Sequence, residues 1–402
     1  MEFERIVWLD PNLKTNFGHP IEAACSVKKY FESENSTEFR LVVNKNADTE
    51  VRRLLGNYSP VISNTCFQNL DDKGEAFYRD IEAVNEELKL GPDDLIVVPT
   101  SYSNEIIGTK KFVTENRGKT PKFAFQIHQF FPPTSIFEET LTLNYFLSSK
   151  RLLSEAFFEI NKYTDVISIW STETQKLNRL LNSIAPVIIG SLPLPIDFHG
   201  EFNQEDEIEK RRPTLSFLGD GRYEKGLLLF LSAINSSKNS NERIIVQNYN
   251  PRGYQGTEKN SLQDALNRLK SSGKVEVIES ALDPVNFQRI VAESDVVIMP
   301  YHPKSYDMRI SEVYILARLY KRNCIVSSGT WMADESRKFR TGGVFEYHEN
   351  DSDKTIDNLR KRLENLSTDS SIENSGIDQQ AEYYKKTNSP ETVINRLKNY
   401  YA

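Results

Sequence analysis

The run Phe217-Leu218-Gly219-Asp220-Gly221-Arg222-Tyr223-Glu224-Lys225-Gly226 sets two cations in a glycine-rich turn directly behind an apolar segment. That combination suits phosphate. Gly219 and Gly221 let the backbone approach an anion, and a following helix would aim its free N–H groups and positive dipole end at the same point. Arg222 adds a planar fork of donors and Lys225 a point charge. The structural alternative is a β-turn with solvated charges, in which Glu224 pairs with a neighbouring cation.

Other residues of chemical interest lie at the ends of apolar runs. Tyr306, Arg309 and Ser311 precede a helical pattern, and a helix N-terminus suits phosphate or sugar hydroxyls; Ser311 is equally an ordinary N-cap. Gly329-Thr330 follows a buried-type strand and is either a cleft edge or a plain turn. His128 closes the apolar run Phe123–Ile127, and Gly18-His19 follows the first strand; a hydrogen-bonded structural histidine is the alternative for His128. Phe130-Phe131-Pro132-Pro133 suits either a sugar-stacking platform or a packed seam, and Tyr383-Tyr384 and Tyr400-Tyr401 suit helix packing. Asp351-Ser352-Asp353 has a metal-type spacing but reads as a solvated loop, so no metal is expected. No zinc-type Cys/His spacing, nucleophile elbow or Walker-type phosphate loop is present.

These residues need scaffolding, and the chain is long enough for two cores. With 402 residues it exceeds the size at which one core stops growing, roughly 250–300 residues. The hydrophobic fraction is 38%, the charged fraction 27% and the net charge −7, which gives no general basic field for nucleic acid. Three scattered cysteines, Cys25, Cys66 and Cys324, suit a reducing cytoplasm. No signal-peptide core and no membrane-spanning apolar run is found, which leaves peripheral membrane contact open.

Short apolar runs alternate with amphipathic helical patterns throughout. Strands are predicted at 5–9, 39–43, 95–99, 123–127, 166–170 and 187–189, then at 214–218, 243–247, 275–278, 296–299, 324–326 and 343–345. Helices are predicted at about 21–32, 261–271, 283–293 and 310–320. The polar run Glu201–Arg212 reads as a linker, Leu366–Gln380 as a loop, and Glu382–Tyr401 as a helical tail with Ser389-Pro390-Glu391 as a start signal. The expected fold is α/β: two doubly wound Rossmann-like domains, residues 1–200 and 213–380, facing each other across a cleft, with 201–212 between them and 381–402 returning to the first domain.

Taken together, these segments resemble the GT-B glycosyltransferases, and among them the retaining "group 1" sugar transferases. The strand–Gly–Arg–Glu-Lys-Gly pattern at 217–226, Ser294-Asp295-Val296-Val297-Ile298-Met299-Pro300-Tyr301, the unit Ser305–Ser311 with helix and Cys324–Trp331, and Leu192-Pro193-Leu194-Pro195-Ile196-Asp197 carry the resemblance. It covers most of residues 1–350 and is clearest after 213. It implies that Arg222 and Lys225 hold a donor diphosphate, with Gly219, Gly221, Tyr306, Arg309, Ser311, Glu312, Gly329 and Thr330 around a UDP- or GDP-sugar. It also implies that His128 touches the reacting sugar and that Gly18 and His19 shape the acceptor side. One departure stands out. The family's two glutamates fall here on Met308 and Leu316, or on Arg309 and Ala317, and neither pair is acidic; Asp307 and Glu312 are the nearby acids.

The resemblance therefore implies a metal- and cofactor-independent transferase acting on a glycan, lipid-linked or small-molecule acceptor, with retention of configuration. The missing acids leave two alternatives: a catalytically silent subunit that binds a sugar nucleotide or a partner enzyme, or another GT-B-shaped enzyme such as an epimerase or phosphorylase.

Overall fold

A computed structural model describes the chain apart from residues 1, 35, 67, 69, 70, 131–142, 203–211, 237–241, 250–253, 255, 272, 274 and 366–375. The described residues divide into two compact units. One comprises the chain up to Asp197 together with Thr387–Ala402, the other Phe198–Lys386.

The first unit is built on a parallel sheet of β1 (Arg5–Asp10), β2 (Glu38–Asn44), β3 (Ser59–Ile62), β4 (Asp94–Val98), β5 (Lys122–Ile127), β6 (Ile167–Ser171) and β7 (Ile189–Ser191). The spatial order is β3-β2-β1-β4-β5-β6-β7. Trp8 of β1 pairs with Leu41 on one side and Val97 on the other. Ile6, Val7, Trp8 and Leu9 are all fully buried, which explains the unbroken apolar run: helices cover both faces, so neither face of the strand is polar. β3 escapes the sequence pattern. It has four residues, opens Ser59-Pro60 and lies at the sheet edge, where a proline costs no ladder bond to a further strand.

The second unit carries β8 (Thr214–Phe217), β9 (Arg243–Gln247), β10 (Val275–Ile278), β11 (Val296–Met299), β12 (Asn323–Ser327) and β13 (Val344–Phe345). They are ordered β10-β9-β8-β11-β12-β13, and every pair is parallel. Both sheets thus reverse direction of growth beside their first strand, at β1/β4 and at β8/β11. Such a switch point opens a crevice outside the carboxyl ends of the strands, where ligands of doubly wound sheets bind. Phe217, Phe230, Leu231, Ile244, Val246 and Ile298 pack the core beneath that edge.

Three expectations about the last part of the chain need correction. Asp351-Ser352-Asp353 is not a loop: the Asp351 carboxylate accepts from the Lys354 N–H at 2.9 Å and caps a helix over Ser352–Glu364. The span 366–380 is not loop throughout, because a helix over Ile377–Thr387 begins within it, while 366–375 lie outside the described residues. The tail is two helices rather than one. Asn388 breaks it, and Ser389 caps the second helix, Pro390–Tyr400, through the Thr392 N–H at 3.1 Å. The first helix belongs to the second unit. The last one belongs to the first unit, where Val393, Ile394 and Leu397 are completely buried in the core around Trp8 and Ala24. Tyr401 hydrogen-bonds the Phe123 carbonyl at 2.5 Å and Ser168 at 2.8 Å. The linker 201–212 lies mostly outside the described residues; its start is a short 3-10 turn over Gly200–Phe202.

Candidate functional site

In the second unit the chain leaves β8 through Gly219, at φ +109. A side chain there would be strained by that angle, and its Cβ would stand 2.6 Å from Lys225 Nζ. The Gly219 N–H donates to Gln247 Oε1 at 2.8 Å and the Gly221 N–H to the Tyr249 carbonyl at 2.8 Å, so the turn is pinned to the end of β9. Tyr223–Lys225 then forms a single 3-10 turn closed by Gly226 at φ +70. A Cβ on Gly226 would lie 2.1 Å from the Pro300 carbonyl oxygen, so this glycine permits the turn to seat against the end of β11. The helix that follows, Leu227–Ser236, is apolar and faces the core.

Lys225 is buried and Arg222 half-buried, and each has an acid. Asp220, 2% exposed, holds Arg222 Nε at 2.6 Å through one carboxylate oxygen and Lys225 Nζ at 2.7 Å through the other. Glu224 holds Arg222 Nη1 at 2.8 Å. Burial alone would lower both cations, but the phenol of Tyr306 with Asp220 and Glu224 raises Arg222, and Asp220 with Tyr301 and Tyr306 raises Lys225, so both stay charged. The pairing of Glu224 with a neighbouring cation is therefore real, and it coexists with the placement at the carboxyl edge of the sheet.

The loop after β11 completes this corner. The His302 N–H donates to the Glu224 carbonyl at 2.8 Å, tying it to the glycine turn. The Tyr301 and Tyr306 rings meet at 4.5 Å, Lys225 Nζ lies 5.8 Å from the Tyr301 centroid, and the Arg309 guanidinium lies 4.9 Å from that of Tyr306. Burial pushes the Tyr301 phenol up to about 12 against the pull of Lys225. Ser311 caps the helix Glu312–Leu319 through the Tyr314 N–H at 3.3 Å. Glu312, its first residue, is half-buried; burial pushes its carboxyl up to about 7, with Lys225 pulling it down. Thr330 caps the helix Trp331–Phe339 and donates to the Ser327 carbonyl at 2.8 Å. Gly329, at φ +76, lies where a Cβ would be 3.2 Å from Pro303 Cβ, which brings the end of β12 against the loop after β11.

The structure thus gathers Gly219, Gly221, Arg222, Lys225, Tyr306, Arg309, Ser311 and Glu312 at one edge, with Gly329 and Thr330 beside them. Of the positions aligned with the family's acids, Leu316 and Ala317 are completely buried in the helix, while Met308 and Arg309 precede it. Sequence reasoning missed Asp220 and Tyr301. The alternation of acid and base over 220–225 was the available signal for Asp220, and the quoted segment Ser294–Tyr301 already ended on Tyr301.

In the first unit, Gly18 takes φ +81 and stands at the N-cap of the helix His19–Ser33. The His19 and His128 rings approach to 4.7 Å, and His128 Nε2 is hydrogen-bonded to the Pro99 carbonyl. Gly18, His19 and His128 therefore meet at the carboxyl edge of that sheet, beyond β1, β4 and β5. Phe130 is buried, and its carbonyl accepts from Tyr102 Oη at 2.8 Å; Phe131-Pro132-Pro133 lie outside the described residues. A cavity of about 260 Å³ elsewhere in this unit, lined by Lys28, Phe31, Phe39 and Tyr58 among others, includes none of the predicted site residues. Among the described residues no cluster of His, Cys, Asp and Glu suits a metal ion, and no helix is long and apolar enough to cross a membrane.

No family model and no curated protein matches the sequence. Solved structures do match. HepE of Anabaena, solved with UDP and glucose, aligns over 98% of both chains with a TM-score of 0.65 and 12% identity. The sucrose-phosphate synthase of Thermosynechococcus elongatus aligns over 99% of this chain and 98% of its own, with a TM-score of 0.66 and 10% identity. A glycosyltransferase of Rickettsia africae aligns over 100% and 98%, with a TM-score of 0.63 and 14% identity. The chain has the two-sheet α/β architecture of the GT-B glycosyltransferases, along nearly its whole length.

Proposed function

We propose that this chain is a glycosyltransferase that moves a sugar from a nucleoside diphosphate donor, UDP- or GDP-linked, to a glycan, lipid-linked or small-molecule acceptor. The observation that carries the reading is the pair of half-buried Arg222 and buried Lys225, both charged, at the switch-point edge of the second sheet, in a chain with the fold of HepE, which was solved with UDP and glucose. In this reading the two cations bind the diphosphate and stabilise the charge that grows on it as the sugar leaves. They supply the positive charge that a metal ion supplies elsewhere, so the reaction runs without one. Tyr306, Arg309, Ser311, Glu312, Gly329 and Thr330 surround the rest of the donor. Gly18, His19 and His128 form the acceptor side. Retention of configuration follows from the resemblance, and the sparse free thiols suit a cytoplasmic setting.

A second reading is a silent sugar-nucleotide-binding subunit. It is favoured by the absence of a carboxylate at Met308, Arg309, Leu316 and Ala317.

A thermal-shift screen against UDP-, GDP- and ADP-sugars identifies the donor, because a ligand of the native state raises apparent stability. Turnover or donor hydrolysis with that sugar nucleotide is then measured in the wild type and in the double variant Arg222→Ala, Lys225→Ala. Loss of turnover by at least about a hundredfold is expected, as for removal of strong electrostatic stabilisers. Unchanged turnover rejects the assignment, and binding without turnover in the wild type supports the silent subunit.

A further inference from the structure

The two cations of the glycine turn are already occupied. Asp220 places one carboxylate oxygen on each, 2.6 Å from Arg222 Nε and 2.7 Å from Lys225 Nζ, and Glu224 takes Arg222 Nη1 at 2.8 Å. Within the turn, Arg222 and Lys225 are balanced by Asp220 and Glu224, so an incoming anion must compete with carboxylates already in place. Asp220 is also held in place. Its flanking glycines are hydrogen-bonded to Gln247 and Tyr249, and its side chain is shielded from water. Removing such charges from water is costly for each ion, and their mutual pairing offsets that cost. A carboxylate that sets one oxygen against each of two cations has the charge arrangement of a bridging phosphate.

We infer that Asp220 is the specificity-determining residue of the donor site: it occupies the phosphate position in the free protein, and a diphosphate binds by exchanging with it. The inference rests on the donor-site reading above. A single phosphate brings one anionic group to two cations that already share a carboxylate. A diphosphate brings two groups, one for each cation, and replaces both ion pairs of Asp220 at once. Asp220 therefore raises the threshold for every anion and penalises monophosphates most.

The test is calorimetry with inorganic pyrophosphate and inorganic phosphate on the wild type, Asp220→Asn and Glu224→Gln. The wild type is expected to bind pyrophosphate and to reject phosphate. Asp220→Asn is expected to bind pyrophosphate about tenfold tighter or better and to gain measurable phosphate binding, because a like charge facing the ligand is gone. Glu224→Gln keeps the Asp220 bridge, and a smaller gain is expected in the same direction. It decides the matter if Asp220→Asn does not fold. Equal or weaker pyrophosphate binding in a folded variant, with binding intact in the wild type, overturns the inference and leaves the donor site standing. Binding by none of the three proteins overturns both.

Discussion

Burial lifts the Glu312 carboxyl to about 7 while Lys225 draws it down, so this acid changes charge within the working range of most enzymes. An anion arriving at Lys225 favours the protonated form, and donor binding should then take up a proton wherever Glu312 is ionised beforehand. The sign follows: affinity is full below about 7 and declines as pH rises past it, by up to about tenfold per pH unit. A UDP-sugar is the proper probe, since its diphosphate diester keeps its charge between pH 5 and 9. Glu312→Gln should flatten the profile at the level of the wild type at low pH. A wild-type affinity that is flat from pH 6 to 8.5 would remove Glu312 from the site. Glu312, with Asp307, is one of the acids near the positions that the family pattern fills with its pair. It was visible in the sequence, but its charge state depends on burial that only the fold supplies.

Elements show where local rules were broken and what compensated. The helix Glu312–Leu319 ends at Tyr320, and the next residue, Lys321, adopts φ 57, a conformation that glycine takes at little cost. Lys321 also forms an exposed ion pair with Asp378 at 2.8 Å, of the kind that contributes at most about 1 kcal/mol. Lys321→Gly relieves the backbone and loses the pair; Lys321→Ala keeps the strain and loses the pair. Lys321→Gly should therefore be the more stable of the two by about 1 kcal/mol in chemical denaturation. The opposite order, which helix interiors show, would mean that the left-handed turn is not formed. Strands were legible wherever both faces are covered, as in β1, β4 and β11, because burial demands an unbroken apolar run. The helix Ser352–Glu364 and the start of Ile377–Thr387 were not, since mostly polar residues conceal their short buried stripes, Thr355, Leu359 and Leu363 in the first and Ile377, Gln380 and Ala381 in the second.

For the molecule as a whole, the chain builds one doubly wound unit, then a second, and ends with Val393, Ile394 and Leu397 in the core of the first. The alternation of apolar runs and helical patterns made this layout legible, including the helical tail. The pairing inside the candidate site was not legible. Asp220, Arg222 and Lys225 are near neighbours in sequence, yet only a turn with Gly219 and Gly226 at positive φ brings both cations onto one carboxylate. His19 and His128 meet because β4 and β5 follow β1 in the sheet order, which no local pattern reveals. The claim on which the function rests is that Arg222 and Lys225 receive the donor diphosphate. A crystal structure of the protein with UDP tests it most directly. Phosphate oxygens within hydrogen-bond distance of Arg222 and Lys225, with Asp220 displaced, are expected; UDP seated elsewhere, with the Asp220 bridge intact, would contradict it.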